Sequence, residues 1–327
     1  MSMVSPKTLG EFDLIARYFT RVPRRATLGI GDDCALLAPL PAGQQLAISC
    51  DMLVEGRHFL SSVAPDRLGH KALAVNLSDL AACGAEPVAF TLALAMPRVD
   101  EAFLDGFARG MFALADAHGI ELVDGDTTAG PLNLCITVFG AVPVGQALLR
   151  SGARAGDTLW VSGTLGDARL ALEAFRGTVS LTGQAFDSVR ARMECPAPRV
   201  ALGRALRGLA SSAIDLSDGL AGDLGHVLAR SGVGATVNVD ALPRSAVLAA
   251  QPRPLQLECT LAGGDDYELL FSAPPARERE VLAAADQAGV QVTQVGSIDA
   301  TPGLRLVDAD GGALRQRFLA FDHFRAT

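Results

Sequence analysis

The chain has 327 residues, 49% of them hydrophobic and 20% charged, which at roughly 150 residues per domain is enough for two domains with real cores. Acidic residues outnumber basic ones 36 to 28, for a formal net charge of -8. That argues against a nucleic-acid partner, which calls for a basic face, but not against phosphate chemistry, because carboxylates hold the metals that accompany phosphates. Phe12, Ile15 and Phe19 share one helical face and predict an opening helix over 9–20. Strands follow at Cys34–Ala38 and Gln45–Cys50, and then a long helix runs from Asp66 to about Cys83 with Leu68, Ala72, Val75 and Leu80 on its apolar side. Phe90–Ala95 reads as a buried strand, Phe103, Phe107, Met111 and Leu114 as a helix stopped near Gly119, and Leu132–Val142 as an alternating strand. The glycines and polar residues of Gly145–Gly156 predict a boundary, giving domains 1–146 and 147–327. The second half restarts with strand Thr158–Ser162 and helices over Leu165–Phe175 and Pro198–Leu209. Strand Ala213–Asp215 and a helix over Ser217–Arg230 come next, then strands at Ala235–Val239, Glu268–Ser272 and Val290–Val295, with a helix over Ala276–Ala288. Strands and helices mixed in both halves predict two α/β domains.

Several function classes drop out. Lys7 and Lys71 are the two lysines, and neither sits in a P-loop or in a protein-kinase V-A-I-K strand. Gly29-Ile30-Gly31 is no dinucleotide fingerprint, since Cys34 stands at the third glycine position. Six scattered cysteines without a C-x-x-C predict small buried residues in a reducing cytosol, and five histidines without an H-x-x-x-H pair give no zinc site. The N-terminus lacks a signal peptide's apolar core, and the run Pro87–Met96 is far short of the roughly 20 residues a membrane span needs. A soluble cytoplasmic protein without nucleic-acid or membrane partners is expected.

What remains informative is where the aspartates fall. They recur beside glycine or small hydroxyl residues, at predicted strand ends and turns: Gly29-Ile30-Gly31-Asp32-Asp33, Ser49-Cys50-Asp51, Asn76-Leu77-Ser78-Asp79, Asp124-Gly125-Asp126-Thr127-Thr128, Asp215-Leu216-Ser217-Asp218-Gly219 and Gly263-Gly264-Asp265-Asp266-Tyr267-Glu268. Each alone is more often a turn or a helix cap. Together they predict a cation, because two carboxylates about 4 Å apart repel by about 4 kcal/mol at an effective dielectric of 20. Hard oxygen donors without thiolate suit Mg²⁺, and the adjacent glycines let backbone amides approach phosphate oxygens.

At these residues the chain resembles the thiamine-monophosphate kinase family, part of a larger ATP-using group that includes aminoimidazole ribonucleotide synthetase and selenophosphate synthetase. The match runs from Gly10-Glu11-Phe12-Asp13-Leu14-Ile15 to Phe321-Asp322-His323-Phe324. It takes in Gly29–Cys34, Lys71–Ala82, Gly125–Thr128, Ala213–Gly219 and Gly263–Phe271. The resemblance implies an N-terminal domain whose sheet pairs in a homodimer, a C-terminal α/β domain, and ATP with several Mg²⁺ ions in the cleft between them. The implied reaction moves the γ-phosphoryl of ATP onto thiamine monophosphate. It places Asp33, Ser49, Asp51, Asp79, Asp126, Asp215 and Asp218 at metal positions, and Gly125, Asp126, Arg150 and Ser217 at ATP positions. His58, Asp265 and Phe321 fall at substrate positions. The alternatives are another synthetase of the group or a non-catalytic ATP- and Mg²⁺-binding accessory protein.

Three residues depart from the family pattern: Cys50 where threonine is usual, Asp124 where glycine is usual, and Asp265 where glutamate is expected. The acceptor phosphate is mostly a dianion at pH 7, so direct in-line transfer without a general base or a phosphoenzyme is expected. Taken singly, Arg150 also reads as a solvated linker residue, His58 as structural and Phe321 as core packing. Ser162-Gly163-Thr164-Leu165-Gly166-Asp167, between a strand and a helix, either presents amides to phosphate or is a plain turn with a cap. Lys71 has no role derivable from sequence.

Overall fold

In the computed structural model, which describes residues 10–316 and 318, the chain opens with α1 (Glu11–Leu14) running on into a π-helical turn over Ile15–Phe19. The widened turn closes with the Thr20 amide on the Ile15 carbonyl at 3.0 Å, so the predicted helix 9–20 is here two short pieces. A small antiparallel pair, β1 (Ala26–Leu28) and β2 (Leu36–Leu37), precedes β3 (Gln44–Val54) and the long α2 (Pro65–Ala82). Next come β4 (Glu86–Met96), α3 (Glu101–His118), β5 (Glu121–Ala129) and β6 (Asn133–Pro143). The strands β3 to β6 form a four-stranded sheet in the order β3-β6-β4-β5. Strands β4 and β5 run parallel, joined through α3, the crossover that parallel pairing requires.

Patterning accounts for these elements. In β6 every second residue from Leu134 to Val142 is buried, the period of a half-covered strand. Helix α3 starts at Asp100, whose carboxylate accepts from the Phe103 amide, and stops at left-handed Gly119, the stop predicted from sequence. Leu104, Phe107 and Met111 of α3 and Leu68, Leu73 and Val75 of α2 are buried with Phe90, Leu94 and Ile136 of the sheet. Helices α2 and α3 meet backbone to backbone: a Cβ on Gly69 would fall 2.0 Å from the Phe107 carbonyl oxygen, and one on Gly110 would fall 1.8 Å from that of Asp66.

The second half supplies β7 (Thr158–Ser162), α4 (Asp167–Phe175), α5 (Gly183–Glu194), α6 (Val200–Ala205), β8 (Ser212–Asp215), α7 (Leu220–Ser231) and β9 (Gly234–Asn238). It continues with α8 (Ala246–Ala249), α9 (Arg253–Ala262), β10 (Leu269–Ala273), α10 (Glu278–Gln287), β11 (Val292–Asp299) and β12 (Gly303–Val307). Six strands pair in the order β12-β9-β11-β7-β10-β8, antiparallel except for parallel β12 and β9. The buried core joins Leu159 and Val161 of β7 to Ile214, Leu224, Val237, Leu270 and Ile298. Strands β5 and β12 and helices α5 and α9 were not read from the sequence. The acidic, glycine-containing 121–129 segment looks like a turn, and it is the ladder with β4 that makes it a strand.

The chain divides into two compact units. The first holds the chain up to Ala42, Ile48–Asn76 and Pro87–Ala141; the second holds Gly43–Ala47, Leu77–Glu86 and the chain from Val142 onward. The last part of α2 therefore belongs with the second unit. Among the described residues, no helix is long and apolar enough to cross a membrane.

Candidate active site

In the second unit, two of the acidic motifs meet. Ser78 lies on α2, next to Asp79, and donates from Oγ to Asp215 Oδ2 at 2.8 Å, both side chains being buried. Asp215 ends β8, and the loop after it carries Ser217 and Asp218. The Asp218 amide donates to the buried Asp223 carboxylate at 3.1 Å. Burial and the neighbouring Asp218 carboxylate push the Asp223 carboxyl up to about 7. Arg150 exerts the opposite pull on Asp223, and its carbonyl accepts from Ser231 Oγ. The Arg150 side chain is exposed in the connector between β6 and β7, so both readings of it stay open.

The 263–268 segment lies beside this loop. Asp265 donates its amide to the Ser217 carbonyl at 2.7 Å, Tyr267 to the Leu216 carbonyl at 2.8 Å, and Leu216 to the Glu268 carbonyl at 2.8 Å. Asp265 and Tyr267 both have positive φ, 63° and 51°, uncommon for non-glycine residues and concentrated at functional sites. Asp215, Ser217, Asp218 and Asp265, predicted from three separate roles, are therefore neighbours.

In the first unit, Asp51 lies in mid-strand on β3, where its amide donates to Asn76 Oδ1 at 3.0 Å. Ser49 shares its face of the strand, while Cys50 points to the other face, its Sγ 3.4 Å from Cys135 Sγ. Burial and the Cys50 hydrogen bond push the Cys135 thiol up to about 11. Asp126 is exposed on β5, and its neighbour Gly125 faces Leu92 of β4 so closely that a Cβ would fall 2.0 Å from the Leu92 carbonyl oxygen. Asp33 is exposed on a bend, its amide on Asp32 Oδ1 at 2.9 Å. His58 accepts the Val54 amide at Nδ1, which leaves the ring proton on Nε2. Lys71, buried on α2, donates to the His58 carbonyl at 3.1 Å, a role the sequence did not disclose.

Two expectations change. The cysteines are not uniformly buried: Cys34 and Cys50 are exposed, Cys83, Cys135 and Cys195 half-buried, and Cys259 alone of the six is buried. Asp51 and Asp126 sit within strands and Asp79 within a helix, not at strand ends or turns. In the 162–167 segment, Gly163, Leu165 and Gly166 donate their amides to the Gln291 carbonyl, the Pro243 carbonyl and Asp266, which favours the plain turn of the two readings. Among the described residues, no three His, Cys, Asp or Glu side chains form a ready metal cage; the predicted metal set is shared between the units, with Asp33, Ser49, Asp51 and Asp126 in the first and Asp79, Asp215 and Asp218 in the second. Phe321 lies outside the described residues. Ser78 and Asp223 were missed as members of the site, although Ser78 stands inside one quoted motif.

The two halves define the class. Residues 31–142 match the N-terminal domain, and 154–309 the C-terminal domain, of AIR synthase related proteins. The chain is 48% identical to the thiamine-monophosphate kinase of Salmonella typhimurium over 96% of its own length and 98% of that protein's. Its structure resembles that of thiamine-monophosphate kinase from Stenotrophomonas maltophilia, with TM-score 0.83 and 44% identity, covering 89% of this chain and 92% of that one. It also resembles AaThiL complexed with AMPPCP and TMP, with TM-score 0.76 and 28% identity, covering 88% and 90%. The chain belongs to the thiamine-monophosphate kinase family.

Proposed function

We propose that this protein transfers the γ-phosphoryl group of ATP to thiamine monophosphate, releasing ADP and thiamine diphosphate, with Mg²⁺ as the metal, as a homodimer in the cytoplasm. The observation that carries this reading is the pairing of Ser78 with Asp215 beside Asp79, in a chain nearly half identical, end to end, to a named kinase. The ATP-analogue and TMP complex of a relative supports the two substrates.

The donors fit Mg²⁺. Asp33, Ser49, Asp51, Asp79, Asp126, Asp215 and Asp218 offer hard oxygen atoms only, and Mg²⁺ is usually held by one or two carboxylates plus substrate phosphates, not by an all-protein cage. Burial first, and the Asp218 carboxylate second, raise the Asp223 carboxyl beside this set. Bound Mg²⁺ supplies neutralisation of the negative charge on the phosphate oxygens.

The residues of the chain supply alignment. Arg150 pairs with ATP phosphates, Gly125 brings backbone close to the nucleotide, and Ser217 donates to it. His58, presenting Nε2–H, and Asp265 orient thiamine monophosphate, with Phe321 stacking on a substrate ring. The acceptor is already a dianionic nucleophile, so no side chain removes a proton and no phosphoenzyme forms. The homodimer reading rests on β3, an edge strand whose Leu46, Ile48 and Met52 line one face at 45%, 58% and 54% exposure. Such a contiguous apolar strip suits a second copy of the same strand.

The test is direct: purified protein, ATP, Mg²⁺ and thiamine monophosphate are incubated, and thiamine diphosphate is sought by chromatography. Product is expected, and folded protein that makes none rejects the kinase reading.

A further inference from the structure

The turn bearing Asp265 holds two residues at positive φ, and such backbone persists only where its surroundings over-determine it. What fixes it lies one residue further on. Glu268 is fully buried, and its carboxylate accepts four hydrogen bonds: Ser162 Oγ at 2.6 Å and Arg199 Nε at 2.6 Å on Oε2, Arg199 through a second nitrogen at 2.5 Å and Arg192 at 2.7 Å on Oε1. Space for it is made by Gly163, at φ 58°, where a Cβ would lie 2.1 Å from Oε1. Asp266 completes the anchorage from the other side of Tyr267, accepting the Gly166 amide at 2.8 Å. Burial pushes the Asp266 carboxyl well above its ordinary range. Three remote segments, 162–166, 192–199 and 266–268, thus converge on one turn.

An ion cluster buried this way is weak evidence for stability, since apolar replacements of equal volume often do as well. Its geometric consequence is more specific. The turn it fixes donates the Asp265 and Tyr267 amides to the Ser217 and Leu216 carbonyls, so the turn's position is transmitted to the loop that bears Ser217 and Asp218.

We propose that Glu268, held by Arg192, Arg199 and Ser162, is a positioning residue for phosphoryl transfer: it sets the Asp265 turn and, through two backbone hydrogen bonds, the Ser217–Asp218 loop. This rests on the kinase reading above. It also gives the 162–167 segment a function other than phosphate binding, as the socket for the Glu268 carboxylate.

The test compares full-length wild type with Glu268→Gln, Ser162→Ala, and Val281→Ala, the last a cavity variant on α10 that lowers stability elsewhere. Steady-state kinetics, melting temperature and amide hydrogen exchange are measured on each. Glu268→Gln is expected to raise KM for thiamine monophosphate and the half-saturating Mg²⁺ concentration tenfold or more. It should speed exchange of the Asp265 and Tyr267 amides at least tenfold while sparing Ile214 and Leu270 in the β8–β10 ladder. Ser162→Ala should do the same about threefold. Val281→Ala should lower the melting temperature without either effect. Should Glu268→Gln fail to fold, Ser162→Ala and Arg192→Gln carry the test by the same criteria. Wild-type KM values in the Glu268 and Ser162 variants, or equal changes in Val281→Ala, overturn the positioning role alone; a folded wild type without product overturns the kinase reading instead.

Discussion

The acids of the two units are held differently. In the first unit, Asp33 and Asp126 are exposed, on a bend and on an edge strand, with little protein around their carboxylates. In the second, Asp215 is buried under the Ser78 hydroxyl, Asp223 lies buried against the Asp218 amide, and Asp266 and Glu268 are enclosed. Buried carboxylates are expensive to desolvate and are kept where their position matters. The contrast is one of burial: the second unit encloses Asp215, Asp223, Asp266 and Glu268 among protein donors, while the first leaves Asp33 and Asp126 open to solvent.

The sharpest way to break this comparison is a matched pair of substitutions. Asp215→Asn keeps an oxygen for Ser78 to donate to, so the fold and melting temperature should hold, yet turnover should fall on the order of 10³-fold because a fixed carboxylate is gone. Asp33→Asn removes a solvent-exposed charge. It should raise the Mg²⁺ requirement roughly tenfold and recover most of its turnover in excess Mg²⁺. Rates of thiamine diphosphate formation across a Mg²⁺ titration check both. Equal, Mg²⁺-curable losses in the two variants would end the distinction between the buried and the exposed acids.

The same contrast governs what the sequence revealed. Helix α2 was legible to within a residue at each end and α3 to its Gly119 stop, because apolar spacing and a glycine cap are local signals. The acidic motifs were legible as chemistry, but their roles in the fold were not. Nothing local in Asp124-Gly125-Asp126 announces a strand, since it is pairing with β4 that makes it one. Ser78 finds its partner 137 residues away, and Glu268 draws on Arg192, Arg199 and Ser162, the last 106 residues away. Such long-range satisfaction of buried polar groups leaves no periodic trace in the chain.

The exposed face of the first unit's sheet can be tested by itself. Ile48→Asp puts a charge at the centre of the β3 strip. Wild type should sediment as a two-chain species and the variant as single chains, with little change in melting temperature, because Ile48 is mostly solvated within its own chain. A wild type that sediments as one chain would remove the dimer reading.

A smaller effect concerns the buried Asp266 and its dependence on pH. Asp266 has an ordinary value of 3.8, and burial raises it well above that in the folded chain. Above 3.8 the unfolded chain has lost a proton that the native state still holds. The stability this group contributes is therefore full below 3.8 and falls as pH rises, by at most about 1.4 kcal/mol per pH unit, until its folded value is passed. Asp266→Asn, neutral and able to accept the Gly166 amide, should flatten the fall of melting temperature as pH rises above 3.8 relative to wild type. A profile for Asp266→Asn parallel to wild type would mean that the Asp266 carboxyl is not raised in the fold.

The smallest effect is expected where the sequence raised most concern. Cys50 stands between Ser49 and Asp51 in place of a usual threonine, and a thiol among Mg²⁺ donors would be a poor ligand. Strand geometry removes the difficulty: alternation turns the Cys50 side chain away from Ser49 and Asp51 and onto Cys135, 3.4 Å away between sulfurs. The position can reach a metal only through its backbone, which any residue supplies equally. Cys50→Thr should therefore change kcat and the Mg²⁺ half-saturation by less than about twofold, while Asp51→Asn, one residue on and on the opposite face, should cut turnover on the order of 10²-fold. A large gain in activity or Mg²⁺ affinity from Cys50→Thr would mean that the side chain at this position does reach the metal, and that β3 presents its residues to the site in a different register from the one described.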